Sequence, residues 1–162
     1  MKKLKDLMNR DLVVVPPDMP VSELAGLLST RMISGAPVVD AEGKVIGVDS
    51  LSDIAAFSAS GQGGLQTDRD NMYYSVPEME DYLVGFFTVT DLSPGATVRD
   101  IMTPAVYNLG QEATILEAAD MMRAARIHRI IVTQDGHPQG IVTTMDLVGA
   151  LESSGSICAE QA

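Results

Sequence analysis

The sequence predicts a mixed α/β (α+β) protein built from two β-α-β-β-α repeats packed together, with a different segment inserted between them. Three observations predict it. Setting Leu4-Lys5-Asp6-Leu7-Met8 above Val98-Arg99-Asp100-Ile101-Met102 brings two halves of the chain into register. In that register Val21 meets Ile115, Leu24 meets Ala118, Ala25 meets Ala119, Leu28 meets Met122, Ile33 meets Ile127 and Val38 meets Val132. After one residue is dropped from a turn, Gly43 meets Gly136, Gly47 meets Gly140, Ser50 meets Thr143 and Asp53 meets Asp146. Duplication of this kind is the first thing to seek in a chain, because each copy is one supersecondary unit. The copies span about 1–58 and 97–152, with an insert over 59–96 and a Ser/Gly-rich tail from 153 to 162.

Each element follows from local pattern. Val13-Val14-Val15 is a short β-branched run, hence a strand, broken by Pro16-Pro17-Asp18. Val21, Leu24, Ala25, Leu28 and Met32 recur at helical spacing, which predicts an amphipathic helix over 21–32 with Pro20 at its start. Residues 36–39 and 45–48 read as strands joined by the turn Ala41-Glu42-Gly43-Lys44, and residues 51–57 as a second helix. The second copy gives a strand over 106–109, a helix over 115–125, strands over 130–133 and 139–143, and a helix over 145–151. Thr114-Ile115-Leu116-Glu117 has the form of a capping box at the start of its first helix. A unit of this kind buries one face of its small sheet, and two copies back to back supply each other's missing layer.

The insert opens on Ser60-Gly61-Gln62-Gly63-Gly64, a flexible composition, and then carries Tyr73, Tyr74, Tyr82, Phe86 and Phe87. That aromatic content predicts an ordered excursion packed on the repeats or on a second subunit rather than a disordered linker. Its acidic run Glu78-Met79-Glu80-Asp81 reads as a solvated face, and the tail reads as disordered.

Composition excludes several functions. The 162 residues are 46% apolar and carry a net charge of −11. Binding along a nucleic acid polymer requires clustered Lys and Arg to neutralise phosphates, and this balance opposes it. No apolar run approaches the roughly 20 residues of a membrane-spanning helix, and the N-terminus lacks the apolar stretch of a signal peptide, so the expectation is a cytoplasmic protein without a membrane contact. The single cysteine, Cys158, rules out an intramolecular disulfide. No nucleophile stands beside a base, no Gly-x-x-x-x-Gly-Lys phosphate loop is present, and the two histidines, His128 and His137, are too few and too differently placed for zinc. The reading is of a protein that is not an enzyme, needs no cofactor and holds no metal.

With the repeats laid out, the sequence resembles the CBS domain family, and the pair resembles a CBS tandem, or Bateman module. The resemblance is carried by Asp6-Leu7-Met8, by Arg99-Asp100-Ile101-Met102-Thr103-Pro104, by Ile33-Ser34-Gly35-Ala36-Pro37-Val38-Val39-Asp40 and by Ile127-His128-Arg129. The endings Gly47-Val48-Asp49-Ser50-Leu51-Ser52-Asp53 and Gly140-Ile141-Val142-Thr143-Thr144-Met145-Asp146 complete it. The resemblance implies two repeats related by a pseudo-twofold axis, two clefts between them, a regulatory role without catalysis, bound AMP, ADP or ATP in many relatives, and a homodimer of modules. With no effector domain in the repeats, it also implies a separate, unknown partner protein that receives the signal.

The chemistry of an adenine nucleotide fits residues at those family positions. Vicinal ribose hydroxyls are two donors that one carboxylate accepts together. Asp146 and Asp53 stand at the ribose position, with Thr143 and Ser50 three residues earlier. The same Ser/Thr-x-x-Asp pattern also serves as a helix cap, and local sequence leaves both roles open. Arg129 offers phosphate a planar fork and His128 a ring donor. Ser34-Gly35-Ala36-Pro37 suits the flat face of adenine, Gly35 permitting close approach of a ring. The resemblance assembles one cleft from Leu12, Val13, Ser34, Gly35, Ala36 and Pro37 of repeat one with His128, Arg129, Thr143 and Asp146 of repeat two. A second cleft, around Ser50 and Asp53, lacks a His-Arg pair because repeat one has Ser34-Gly35 there, so the two clefts are expected to be unequal. The alternatives are a ligand-free dimerisation scaffold, or a module for another adenosyl ligand such as S-adenosylmethionine or NAD. His137, in the second hairpin turn, is expected to be merely exposed.

Overall fold

A computed structural model of the chain describes residues 2–59, 95–104 and 106–152. The aromatic residues and acidic run of the insert, its expected packing, the tail and Cys158 lie outside the described residues.

Repeat one contains α1 (Val21–Arg31), the hairpin β1 (Gly35–Val39) and β2 (Val45–Ser50), and α2 (Leu51–Ala59). Repeat two contains α3 (Val98–Ile101), β3 (Asn108–Gly110), α4 (Ile115–Ala125), β4 (Arg129–Gln134), β5 (His137–Thr143) and α5 (Thr144–Glu152). A short 3-10 turn, Leu4–Asp6, is the counterpart of α3 at the head of repeat one. β1 and β2 pair antiparallel, as do β4 and β5, while β3 lies parallel to β4. The two long helices and both hairpins match the sequence reading closely. Thr114 is the N-cap of α4 and forms the predicted capping box with Glu117, which accepts from the Thr114 backbone N–H at 2.7 Å.

The first strand of repeat one is the exception. The expected strand Val13–Val15 is reduced to a single parallel bridge, Val15 to Val38. Val15 donates its N–H to the Pro37 carbonyl and accepts from Val39, at 3.0 and 2.9 Å. One rung earlier, Pro37 has no N–H to offer Val13, whereas its counterpart Ile131 donates to the Tyr107 carbonyl at 3.2 Å. One rung later the chain reaches Pro17, which again has no donor. Proline removes ladder bonds at both ends, so the strand is cut to one rung.

Both long helices end without glycine. Met32 and Arg126, at matching positions, adopt the left-handed conformation with φ of 52° and 55°. The next residue then closes the helix end by donating to the carbonyl five positions back, Ile33 to Leu28 and Ile127 to Met122, both at 3.0 Å. These are Schellman-type closures, which usually recruit glycine or asparagine.

The repeats exchange their leading segments. Residues 3–9 of repeat one lie on repeat two: Leu4 N–H bonds the Ala113 carbonyl at 2.9 Å, Lys5 N–H the Gln111 carbonyl at 3.1 Å, and Asn9 bridges Ile141 in both directions. Residues 97–103 of repeat two lie on repeat one by the matching contacts: Val98 N–H to Met19, Arg99 N–H to Pro17, and Thr103 with Val48. Each sheet thereby gains a row, and the matched bonds express the pseudo-twofold relation. Two apolar cores result. One joins Leu4, Met8 and Val48 of repeat one to Ala118, Met122, Ile130 and Val142. The other joins Val98 and Ile101 to Val21, Leu24, Leu28, Val38 and Ile54. Neither repeat buries its helices without the other's leading segment.

The hairpin turns also meet. Val45 N–H donates to the Gly136 carbonyl at 3.0 Å, and His137 Nε2 lies 3.0 Å from the Glu42 carbonyl oxygen. His137 is therefore half-buried in an inter-repeat contact, not simply exposed as the sequence suggested. Among the described residues no helix is long and apolar enough to cross a membrane.

Candidate functional site

The same strand-to-helix junction occurs twice. In repeat two, Thr143 ends β5 and precedes α5, so Asp146 falls in the first helical turn. Its Oδ2 accepts from the Thr143 N–H and Oγ1, both at 2.7 Å, while the Asp146 N–H reaches back to Oγ1 at 3.4 Å. The geometry is a capping pair, and it engages one carboxylate oxygen. Both residues are half-buried, so the junction reaches the surface. Thr144 locks the start of α5 to β4, its N–H and Oγ1 donating to the His128 carbonyl at 2.9 and 3.2 Å.

In repeat one the junction is closed. Ser50 Oγ donates to Asp53 Oδ2 at 2.6 Å, and the two residues are only 2% and 3% exposed. Beside them Asp49 is fully buried, its Oδ1 accepting from Ser50 N–H at 2.8 Å and its Oδ2 without a hydrogen bond. Burial, followed by repulsion from Asp53, pushes the Asp49 carboxyl up to about 9, against a smaller opposing effect of the Ser50 bond. Sequence reasoning passed over Asp49. The signal was present, because the matching position of repeat two holds Val142, and a carboxylate in place of a buried valine needs a reason.

The predicted residues of the first cleft divide into four groups. Arg129 and Ser34 meet across the repeats, the guanidinium Nη1 donating to Ser34 Oγ at 2.8 Å. Leu12, Val13, Gly35, Thr143 and Asp146 are half-buried near the surface. Ala36 and Pro37 are buried, so Pro37 is not an exposed apolar wall, and Ala36 belongs to the helix-side core of repeat one. His128 is exposed and lines a groove of about 510 Å³ between α4 and α5, with Met122, Arg126, Ile127, Thr144 and Leu147. The contact to Ser34 is made by Arg129 alone of the His-Arg pair. Adjacent residues entering a strand point to opposite sides, which separates the two side chains.

Two duplicated α/β units, each completed by the other's leading segment and each ending in a hydroxyl-x-x-carboxylate helix start, define a tandem-repeat module. The chain belongs to the CBS domain family: the family's model matches twice, over residues 4–60 and 98–153. It is 32% identical over 145 residues to the chloroplastic CBS domain-containing protein CBSX1 of Arabidopsis thaliana, covering 86% of this chain and 59% of that one. It is 30% identical over 159 residues to an uncharacterized protein of Methanocaldococcus jannaschii, covering 91% and 90%. Among solved structures, the CBS-domain containing protein ATU1752 of Agrobacterium tumefaciens is similar with a TM-score of 0.63 at 26% identity, covering 92% of each chain. The structure of CBSX2 in complex with AMP has a TM-score of 0.67 at 23% identity, covering 94% and 98%.

Proposed function

We propose that the protein is a regulatory module that binds one adenine nucleotide, AMP, ADP or ATP, in the cleft between its repeats and signals to a separate protein. One observation carries the reading: a guanidinium from repeat two is held against a hydroxyl of repeat one, Arg129 to Ser34 at 2.8 Å. A phosphate arriving there would engage the planar fork with two charge-assisted bonds in place of the bond to Ser34. Because the fork links the repeats, that exchange alters a contact between them, and a ligand that favours one arrangement shifts its population. Asp146 is proposed to accept the ribose hydroxyls. Its two cap bonds are both accepted by Oδ2 and leave Oδ1 as the oxygen with acceptor capacity. The AMP in the CBSX2 structure, and the 5′-methylthioadenosine and S-adenosyl-L-methionine in that of the MJ0100 domain pair, support an adenosyl ligand. The closed Ser50–Asp53 junction supports a single competent site per chain, and a homodimer of modules is part of the proposal.

The reciprocal Thr143–Asp146 bonds favour a second reading, a ligand-free scaffold in which Asp146 is only a cap. Asp146→Ala separates the two. Loss of the cap lowers stability by about 1 kcal/mol under either reading. Under the sensing reading it also abolishes nucleotide binding, read by calorimetry, which for the unaltered chain gives a stoichiometry of one. Binding raises Tm by mass action, so a Tm unmoved by AMP, ADP, ATP, NAD and S-adenosylmethionine alike would overturn the proposal.

A further inference from the structure

The pair Asp49 and Asp53 lies outside the composite cleft. Asp49 is the penultimate residue of β2 and Asp53 sits in the first turn of α2, so the two carboxyls bracket the strand-to-helix junction of repeat one. In the sheet Asp49 stands opposite Ala36 and two positions from Gly47, the partner of Val38. By strand alternation it shares their face, which is the helix-side core. That core presents Leu24 and Leu28 from α1, Ala36 from β1, Ile54 from α2, and Val98 and Ile101 from α3, all apolar. Asp53 is the charged group that acts on Asp49. The other charged residues of the flanking elements, Glu23, Arg31, Arg99 and Asp100, are exposed, and Arg129 of repeat two is directed to Ser34.

We propose that Asp49 is a proton-operated latch on the N-terminal turn of α2, closed while its carboxyl is neutral and released when it ionises, so that proton binding keeps the Ser50–Asp53 junction of repeat one shut. A neutral carboxyl tolerates this apolar face with one backbone hydrogen bond. An anion there, with a second carboxylate beside it, is shut off from solvent and faces no countercharge among the described residues. Separating β2 from the first turn of α2 would readmit water to Asp49 and expose the buried Ser50 and Asp53 with it. Repeat two lacks the latch because Val142 replaces the aspartate, which matches its open junction. The Asp49 latch operates without any nucleotide.

The linkage has a definite sign. The folded chain holds a proton on Asp49 up to about pH 9, whereas an unfolded aspartate releases it near 3.8. Between those values the folded state binds more protons than the unfolded one, so stability falls as pH rises. The experiment compares the full chain with Asp49→Val and Asp49→Asn, following Tm from pH 5 to pH 9 and intrinsic-rate-corrected amide exchange in residues 49–57. The unaltered chain should lose Tm steadily across the range while exchange at 50–55 speeds up relative to β4. Both variants should lack that part of the slope, and their α2 exchange should not respond to pH. A Tm slope unchanged in the variants overturns the proposal. So does a slope that disappears without any pH response of α2 exchange in the unaltered chain. Asp49→Asn keeps the shape of the side chain and serves if the valine variant does not fold.

Discussion

Gly140→Ala is expected to destabilise the protein by about 3 kcal/mol, a drop in Tm of about 10 °C. An alanine Cβ at this position would lie 2.6 Å from the Asn9 carbonyl oxygen and 2.9 Å from the Met8 sulfur. The thioether can swing aside, but the carbonyl cannot, because Asn9 is held to Ile141 by two backbone bonds of 2.9 and 3.0 Å. Relieving the overlap strains β5 or breaks that bridge, and each lost bond is worth about 1 kcal/mol. The matching Gly47 faces the Thr103 carbonyl at 3.0 Å and Met102 sulfur at 2.9 Å, so Gly47→Ala should follow the same course with a smaller loss. Gly26→Ala is the control. It lies in α1 with nothing within 4 Å of the added atom, and should gain about 0.5–1 kcal/mol from helix propensity. Denaturant unfolding of the three variants checks the order; equal losses at Gly140 and Gly26 would contradict the crossing-segment geometry.

Leu4→Ala should remove about 3 kcal/mol, and the loss should appear in the other repeat. Leu4 is fully buried in the core that contains Ala118, Met122, Ile130 and Val132. Truncating a buried leucine removes transfer free energy and leaves a cavity, for a total of about 2–5 kcal/mol. Amide exchange at Ile130–Val132 and Ile141–Val142 should accelerate more than exchange at Ala36–Val38. The mirror substitution, Val98→Ala, should reverse that pattern, because Val98 is buried in the core of repeat one. If each variant loosened its own repeat, the exchange of leading segments would be wrong.

Much of this architecture was legible in the chain. Helix α4 was readable to the residue because its capping box, apolar spacing and following strand agree, and the hairpin turns were marked by Gly43 and Gly136. The strand Val13–Val15 was misread because β propensity describes a residue's own preference, whereas pairing depends on a donor in the partner. Pro37 and Pro17 supply none, and Pro37 lies more than twenty residues from the strand it curtails. Of the candidate site, the residue types and their duplicated spacing were readable, and so was the ambiguity of Thr143 and Asp146. The signal for Asp49, a carboxylate where repeat two has Val142, was also present but passed over. That His128 and Arg129 diverge and that Ala36 is buried were not readable, because each depends on which side of a sheet is covered.

The sequence by itself determined the repeat, the order of elements within it and the asymmetry between Ser34-Gly35 and His128-Arg129. These are properties of local pattern, fixed by periodicity and composition along the chain. Only the tertiary structure decided that each repeat wears the other's leading segment, that Gly47 and Gly140 are needed for backbone to pass, and that one junction is open while its twin is sealed around a buried carboxyl. Those outcomes depend on contacts between residues roughly a hundred positions apart, where excluded volume and desolvation act on neighbours that the linear chain does not reveal.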